Sequence, residues 1–109
     1  MKLVFFIALI FSTSGLVQAQ DSTGVIRGII FDNENGETVP FATVYLFDAD
    51  SVGVGGVQTD ENGLFSIGKL NPGTYQVLVR EMGYYDHSEK EIELTPRMIR
   101  TLKVYLKKP

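Results

Sequence analysis

Turn signals recur along this chain at intervals that leave little room for helices. From Gly24 onward the sequence is cut by DNENGETVP (32–40), DADSVGVGG (48–56), DENG (60–63) and NPG (71–73). Glycine takes positive φ at no steric cost and proline fixes φ near −65°, so such clusters reverse the chain. The pieces between them are rich in β-branched and aromatic residues, which suit a pleated, half-buried surface. No piece carries a convincing helical period. The chain therefore reads as all-β.

Seven short strands are expected, at 24–31, 41–47, 57–59, 64–67, 74–80, 87–94 and 99–106. That number and spacing predict a β-sandwich. Residues 48–56 read as a loose, glycine-rich loop. Phe41 to Phe47 is apolar on both faces, as a central strand would be. In the last strand Leu102, Val104 and Leu106 share one face, and Thr101, Lys103 and Tyr105 the other. In the strand before it Ile92 and Leu94 oppose Glu89, Glu91 and Glu93. An antiparallel pairing of these two strands would set glutamates against Lys103 on the wet face, at roughly 0.2–1 kcal/mol per good pair.

The N-terminus is not expected to join this domain. Lys2, the apolar run Leu3 to Phe11, the break at Ser12 to Gly15, and Val17 and Ala19 before Gln20 have the layout of a secretory signal peptide. The run is shorter than the about 20 apolar residues that span a bilayer. Cleavage after Ala19 would leave one small domain, residues 20–109, exported to the periplasm or extracellular face of a bacterial envelope, with no stable membrane insertion. The chain has no cysteine, which excludes disulfides, thiolate metal sites and a cysteine nucleophile. Its net charge of −3 argues against nucleic acid, which calls for a basic face. The basic residues Arg97, Arg100, Lys103, Lys107 and Lys108 nevertheless crowd the C-terminus.

Several motifs fall in order along the chain. Gly28 and Ile30, Gly36, Pro40, then Ala42, Val44 and Leu46 form the first set. TDENGLF (59–65), the Pro-Gly-x-Tyr turn of Pro72 to Tyr75, and Gly83-Tyr84 form the second. Together they resemble the carboxypeptidase regulatory-like domain, over nearly all of the chain after Ala19. The resemblance implies a transthyretin-like, seven-stranded Greek-key sandwich in which TDENGLF is a hairpin. It also implies an accessory role, since such domains accompany metallocarboxypeptidases or precede the plug of outer-membrane receptors. No plug, barrel or peptidase sequence follows Leu106, so the expected partner is a separate molecule.

The acidic turn at 60–63 admits two readings. A calcium loop of the EF-hand type wants oxygens at alternate positions and a glutamate at its twelfth, and counting from Asp60 the twelfth is Asn71. The turn reading accounts for every residue. Asp60 suits position i, Asn62 the bridge region, and Gly63 a positive φ. Pro72 and Gly73 likewise suit a type II turn with positive φ at Gly73. The loop 32–37 has a denser set of oxygens and is a candidate for weak ion binding. No cofactor is expected.

Catalysis is not expected. His87 is the sole histidine, no Gly-x-Ser-x-Gly elbow presents a nucleophile, and no His-Glu-x-x-His motif is present. The reading is a non-catalytic, monomeric module that docks on a cell-envelope protein. The alternative is a glycan-binding module of the starch-binding-like type, with Tyr45, Tyr85 and Tyr105 as aromatic platforms. In GYYDH, an extended chain would send Tyr84 and Tyr85 to opposite faces. Tyr84 is taken as the inward one, its hydroxyl reaching a backbone group. Tyr85, Asp86 and His87 are then the candidate contact surface, since binding residues concentrate on loops.

Overall fold

A computed structural model describes residues 21–109; the expected signal peptide lies outside them. Seven strands follow in order: β1 (Gly24–Asp32), β2 (Thr43–Asp48), β3 (Gly53–Gln58), β4 (Leu64–Leu70), β5 (Gly73–Arg80), β6 (His87–Leu94) and β7 (Ile99–Leu106). They form two sheets, one ordered β4-β1-β7 and the other β3-β2-β5-β6. This is the all-β sandwich that the turn spacing predicts.

The core lies between the sheets and follows the period-2 alternation of the strands. Ile26 and Ile30 of β1, Val44 and Leu46 of β2, Val77 and Val79 of β5, and Val104 of β7 are all fully buried. Val39, Ala42, Phe65, Ile67, Leu70, Tyr75, Ile92, Leu94, Leu102 and Leu106 complete the same cluster. Each fully buried aliphatic side chain contributes roughly 1.5–3 kcal/mol. Gly28 belongs to this inner face because β1 must approach its neighbours closely there. A Cβ at Gly28 would stand 2.5 Å from the Leu102 carbonyl oxygen and 2.7 Å from the Phe65 ring.

The sheet assignment corrects several expectations. β6 and β7 do not pair with each other. β6 pairs antiparallel with β5, and β7 pairs parallel with β1 in an unbroken register from Val25↔Ile99 to Asp32↔Leu106. The residues Thr95 to Met98 cross between sheets rather than closing a hairpin, so Glu89, Glu91 and Glu93 do not face Lys103. TDENGLF is not a hairpin either, since it carries the chain from β3 in one sheet to β4 in the other. Only β2–β3 and β5–β6 are hairpins between consecutive strands.

Strand limits shift as well. Part of the supposedly loose 48–56 stretch is strand, because β3 starts at Gly53 and pairs with β2. β4 runs on to Leu70. β2 begins at Thr43, since Phe41 has φ 58 and cannot continue an extended chain. β2 is central, as expected, but only one face is buried, and Tyr45 is exposed on the other.

Candidate functional site

The candidate contact residues sit at one end of the sandwich, and a polar cluster beneath them fixes their place. Asp32 ends β1 and is 2% exposed. A carboxylate so buried must be hydrogen-bonded, and it is. Its Oδ1 accepts from the backbone N–H groups of Glu34 (2.7 Å) and Asn35 (3.3 Å). Its Oδ2 accepts from the Tyr84 hydroxyl at 2.7 Å and lies 3.2 Å from Lys108 Nζ. Lys108 Nζ also stands 5.7 Å from the centre of the Tyr84 ring. The Tyr84 hydrogen bond, ahead of the backbone donors and Lys108, holds the Asp32 pKa down to about 2 against the cost of burial. The same contacts push the Tyr84 phenol and the Lys108 ammonium up.

This cluster ties the start of β1's exit loop, the 81–86 segment and the C-terminal tail together. Tyr84 is half-buried against the core, as expected. Its hydroxyl reaches a carboxylate, not the backbone group anticipated. Another tyrosine does that: the Tyr75 hydroxyl donates to the Asn71 carbonyl. Nor is GYYDH extended throughout. The Tyr84 N–H donates to the Glu81 carbonyl in a turn with Gly83 at φ 88. The two tyrosines diverge because the chain turns between Glu81 and Tyr84.

Tyr85 is 60% exposed. Its backbone is nevertheless held, with its N–H donating to the Lys107 carbonyl at 2.8 Å. Asp86 receives Arg80, with Nη2 to Oδ2 at 2.9 Å and Nε to Oδ1 at 3.2 Å. That bond lowers the Asp86 pKa and raises that of Arg80. His87 Nε2 lies 3.2 Å from Glu89 Oε1. Tyr85, Asp86 and His87 line a cavity of about 200 Å³ with Tyr105 and Lys107 of the last strand and tail. Beside it, Tyr105 stacks on Phe31 with ring centres 5.1 Å apart and planes 18° apart.

The turn residues fall elsewhere. Asp60 Oδ1 accepts from the N–H groups of Asn62 (2.8 Å) and Leu64 (3.0 Å), and Gly63 has φ 77. The carboxylate is thus engaged by the turn's own backbone. Gly73 departs from expectation. It has no positive φ and opens β5 opposite Leu94, so Pro72 and Gly73 do not form the type II turn proposed for them. In the 32–37 loop, both Asp32 oxygens are occupied as described. Among the described residues no group of three or more acidic or histidine side chains converges to hold a metal.

Sequence reasoning missed the part played by Lys107 and by Asp32. Both depend on the parallel β1–β7 register, which places the ends of these strands side by side. It also missed a third aspartate turn. Asp48 Oδ1 accepts from Asp50 and Val52, and Ser51 takes φ 62 where the Asp60 turn has glycine. The spacing Asp-x-x-Ser beside Asp-x-x-Gly was the available signal.

Comparison with solved structures places this sandwich among several unlike proteins. The TIE protein of Bacillus anthracis superposes with TM-score 0.63 at 22% identity, over 79% of this chain and 17% of that one. A 3-chlorocatechol 1,2-dioxygenase from Rhodococcus opacus 1CP gives TM-score 0.65 at 15% identity, over 83% and 62%. A candidate carbohydrate-binding protein from Bacteroides uniformis ATCC 8492 gives 0.63 at 15%, over 81% and 42%. The chain thus spans less than two thirds of each. At these identities the likeness establishes the fold alone. A search of curated protein sequences returned no significant match. The family comparison is more specific: the model of the carboxypeptidase regulatory-like domain matches residues 25–107, through all seven strands, and the chain belongs to that family.

Proposed function

We propose that this is a non-catalytic module that docks on a protein of the cell envelope through Tyr85, Asp86 and His87, together with Tyr105 and Lys107. The supporting observation is the cavity these five residues line, one of them, Tyr85, being 60% exposed on a restrained backbone. Aromatic side chains presented rigidly on a loop lose little entropy on binding and recur as interface anchors. The chemistry at the site suits contact better than catalysis. His87, the sole histidine, faces Glu89 rather than a hydroxyl nucleophile. Asp86 is paired with an exposed arginine, whose hydrogen bond outweighs the opposing effect of burial and lowers its pKa, the reverse of what a general acid requires. Membership of a regulatory-like family agrees with this reading.

The proposal includes export, with cleavage between Ala19 and Gln20. Intact-mass measurement on protein from its own host tests this part, and retention of residues 1–19 in the bulk protein would refute it. A photo-crosslinking residue placed at Tyr85 in the full chain tests the docking surface. A discrete adduct in the envelope fraction is expected from Tyr85 and none from Glu61, in a different turn. Equal adducts from both positions, or unchanged binding by a folded Tyr85→Ala variant, would reject it.

A second reading has an observation of its own. The stacked Phe31–Tyr105 pair, with Tyr105 46% exposed, forms an aromatic platform on the outer sheet face beside the cavity. Sugars stack on such rings, and one structural neighbour is a candidate carbohydrate-binding protein. A glycan that perturbs the ring signals of Tyr105 and Phe31, and whose binding is lost in Tyr105→Ala, would favour this reading over protein docking.

A further inference from the structure

The four edge strands of the two sheets are not alike. β3 and β6 bound one sheet, β4 and β7 the other. Three of the four carry an irregularity. The β2–β3 register slips between Leu46 and Phe47, leaving Val54 of β3 without an opposite number. The β1–β4 register slips between Gly24 and Ile26, and Lys69 of β4 takes φ 56. The β5–β6 register slips between Tyr75 and Val77, and Glu91 of β6 takes φ 56. An extra residue kinks an edge and spoils it as a template for another strand. β7 has no such break. Its pairing with β1 runs through eight consecutive positions with no positive φ.

The direction of β7's hydrogen-bonding groups follows from its two ends. The Met98 carbonyl accepts from Val25, and the Leu106 carbonyl accepts from Asn33, so the even-numbered residues face β1. Backbone groups alternate sides along a strand. Thr101, Lys103 and Tyr105 therefore turn both N–H and C=O to the open side, where no described strand pairs. Their side chains lie on the outer face with Arg27, which is in register with Thr101. The edge is bounded at its C-terminal end, where the Lys107 carbonyl accepts from the Tyr85 N–H. It thus runs directly into the Tyr85 loop.

Its charge indicates the occupant. From Thr95 to Pro109 there is no acidic residue; Lys103 is exposed on the outer face of this edge, and Lys107 is exposed just beyond its end. A second copy pairing through β7 would bring the same lysines together, and like charges placed opposite each other are destabilising. We infer that β7 accepts an extended, acidic segment of a partner protein as an added strand, with glutamate or aspartate opposite Lys103 and backbone bonds to Thr101, Lys103 and Tyr105. This inference rests on the docking reading and supplies its mode of recognition.

The test uses the isotope-labelled full chain and two synthetic seven-residue peptides, one alternating glutamate with threonine and the other lysine with threonine. With excess glutamate peptide, amide exchange at Thr101, Lys103 and Tyr105 should slow about tenfold or more, while the lysine peptide should leave it unchanged. Lys103→Glu, which keeps the backbone intact, should exchange the two responses. Thr101→Pro removes an outward N–H and leaves the backbone ladder to β1 in place, though it also removes the hydroxyl that accepts from Arg27, and it should abolish the slowing at Lys103 and Tyr105. No slowing at these amides with the glutamate peptide overturns the inference. So does equal slowing by both peptides, since charge would then play no part. Concentration-dependent protection of the same amides without peptide would assign the edge to a second copy instead. Perturbation confined to Tyr85, Asp86 and His87 would overturn the edge mode yet leave loop docking standing. The crosslinking comparison of Tyr85 with Glu61 judges docking separately.

Discussion

The carboxylate of Asp32 serves two neighbourhoods at once. One oxygen closes its own loop through Glu34 and Asn35, and the other holds Tyr84 and Lys108 from distant parts of the chain. Because its folded pKa lies below the unfolded value near 3.8, its stabilising contribution is complete above that value and is lost as pH falls towards 2. Tyr84→Phe removes the largest cause of the shift. Asp32 should then titrate closer to the ordinary carboxylate range, and the stability gap from wild type should be widest near neutral pH and narrow below about pH 4. A carbon-detected titration of Asp32, with denaturant unfolding at both extremes, checks this; a gap independent of pH would mean that the bond owes little to the charge. Two glycines make a second contrast. At Gly63 a Cβ would stand 2.9 Å from Thr38 Cβ and 3.0 Å from the Ile30 carbonyl oxygen, in a backbone with φ 77. Gly63→Ala should cost roughly 1–3 kcal/mol. At Gly73 the nearest atom is 4.0 Å away and φ is not positive, so Gly73→Ala should stay within about 0.5 kcal/mol. Urea unfolding of the two variants side by side decides it.

Strands were easier to find than to pair. Alternation in β6 and β7 identified Ile92, Leu94, Leu102, Val104 and Leu106 as core side chains, because one buried face imposes period 2. It carried no information on which strand lies beside which. Hairpin logic favours neighbours in sequence, and the acidic β6 beside the basic β7 looked complementary, yet the chain crosses between sheets at Thr95 to Met98. β3 was hidden because Gly53, Gly55 and Gly56 read as loop, although an edge strand tolerates glycine where little packs on it. Pro72-Gly73 misled for the opposite reason: a strong turn dipeptide was overridden by pairing of Gly73 with Leu94. At the candidate site, Tyr85 was readable as exposed, whereas Lys107 and Asp32 entered only through the register of first and last strands. Gly28 tests that register directly. An added Cβ would press on the Leu102 backbone oxygen, which cannot yield without opening the β1–β7 ladder. Gly28→Ala should cost on the order of 1–3 kcal/mol, with faster amide exchange along β7. Normal stability would show that the two strands are farther apart than described.

Taken together, the sheets are sewn by contacts between distant parts of the chain. β1 sits in the middle of its sheet, and one of its two neighbours is the last strand, so that Arg27 bonds to Thr101 across 74 positions. Ending the chain at Thr95 should therefore do more than trim an edge. It would expose one side of β1, uncover Leu102, Val104 and Leu106's share of the core and strip Asp32 of Lys108. Such a chain should show no cooperative thermal transition, and a cooperative transition near the parent's would mean that β7 is dispensable. The same arrangement sets a schedule. A growing chain is delivered from its N-terminus, and pairings between remote segments form slowly because the intervening loop must first be closed. β1 is made early and waits, with one flank unmatched, until Leu106 has emerged. For a domain of this layout the order of synthesis is not the order of assembly: six strands are made before the one that completes β1's sheet, and until then the domain stays pliable and open to chaperones.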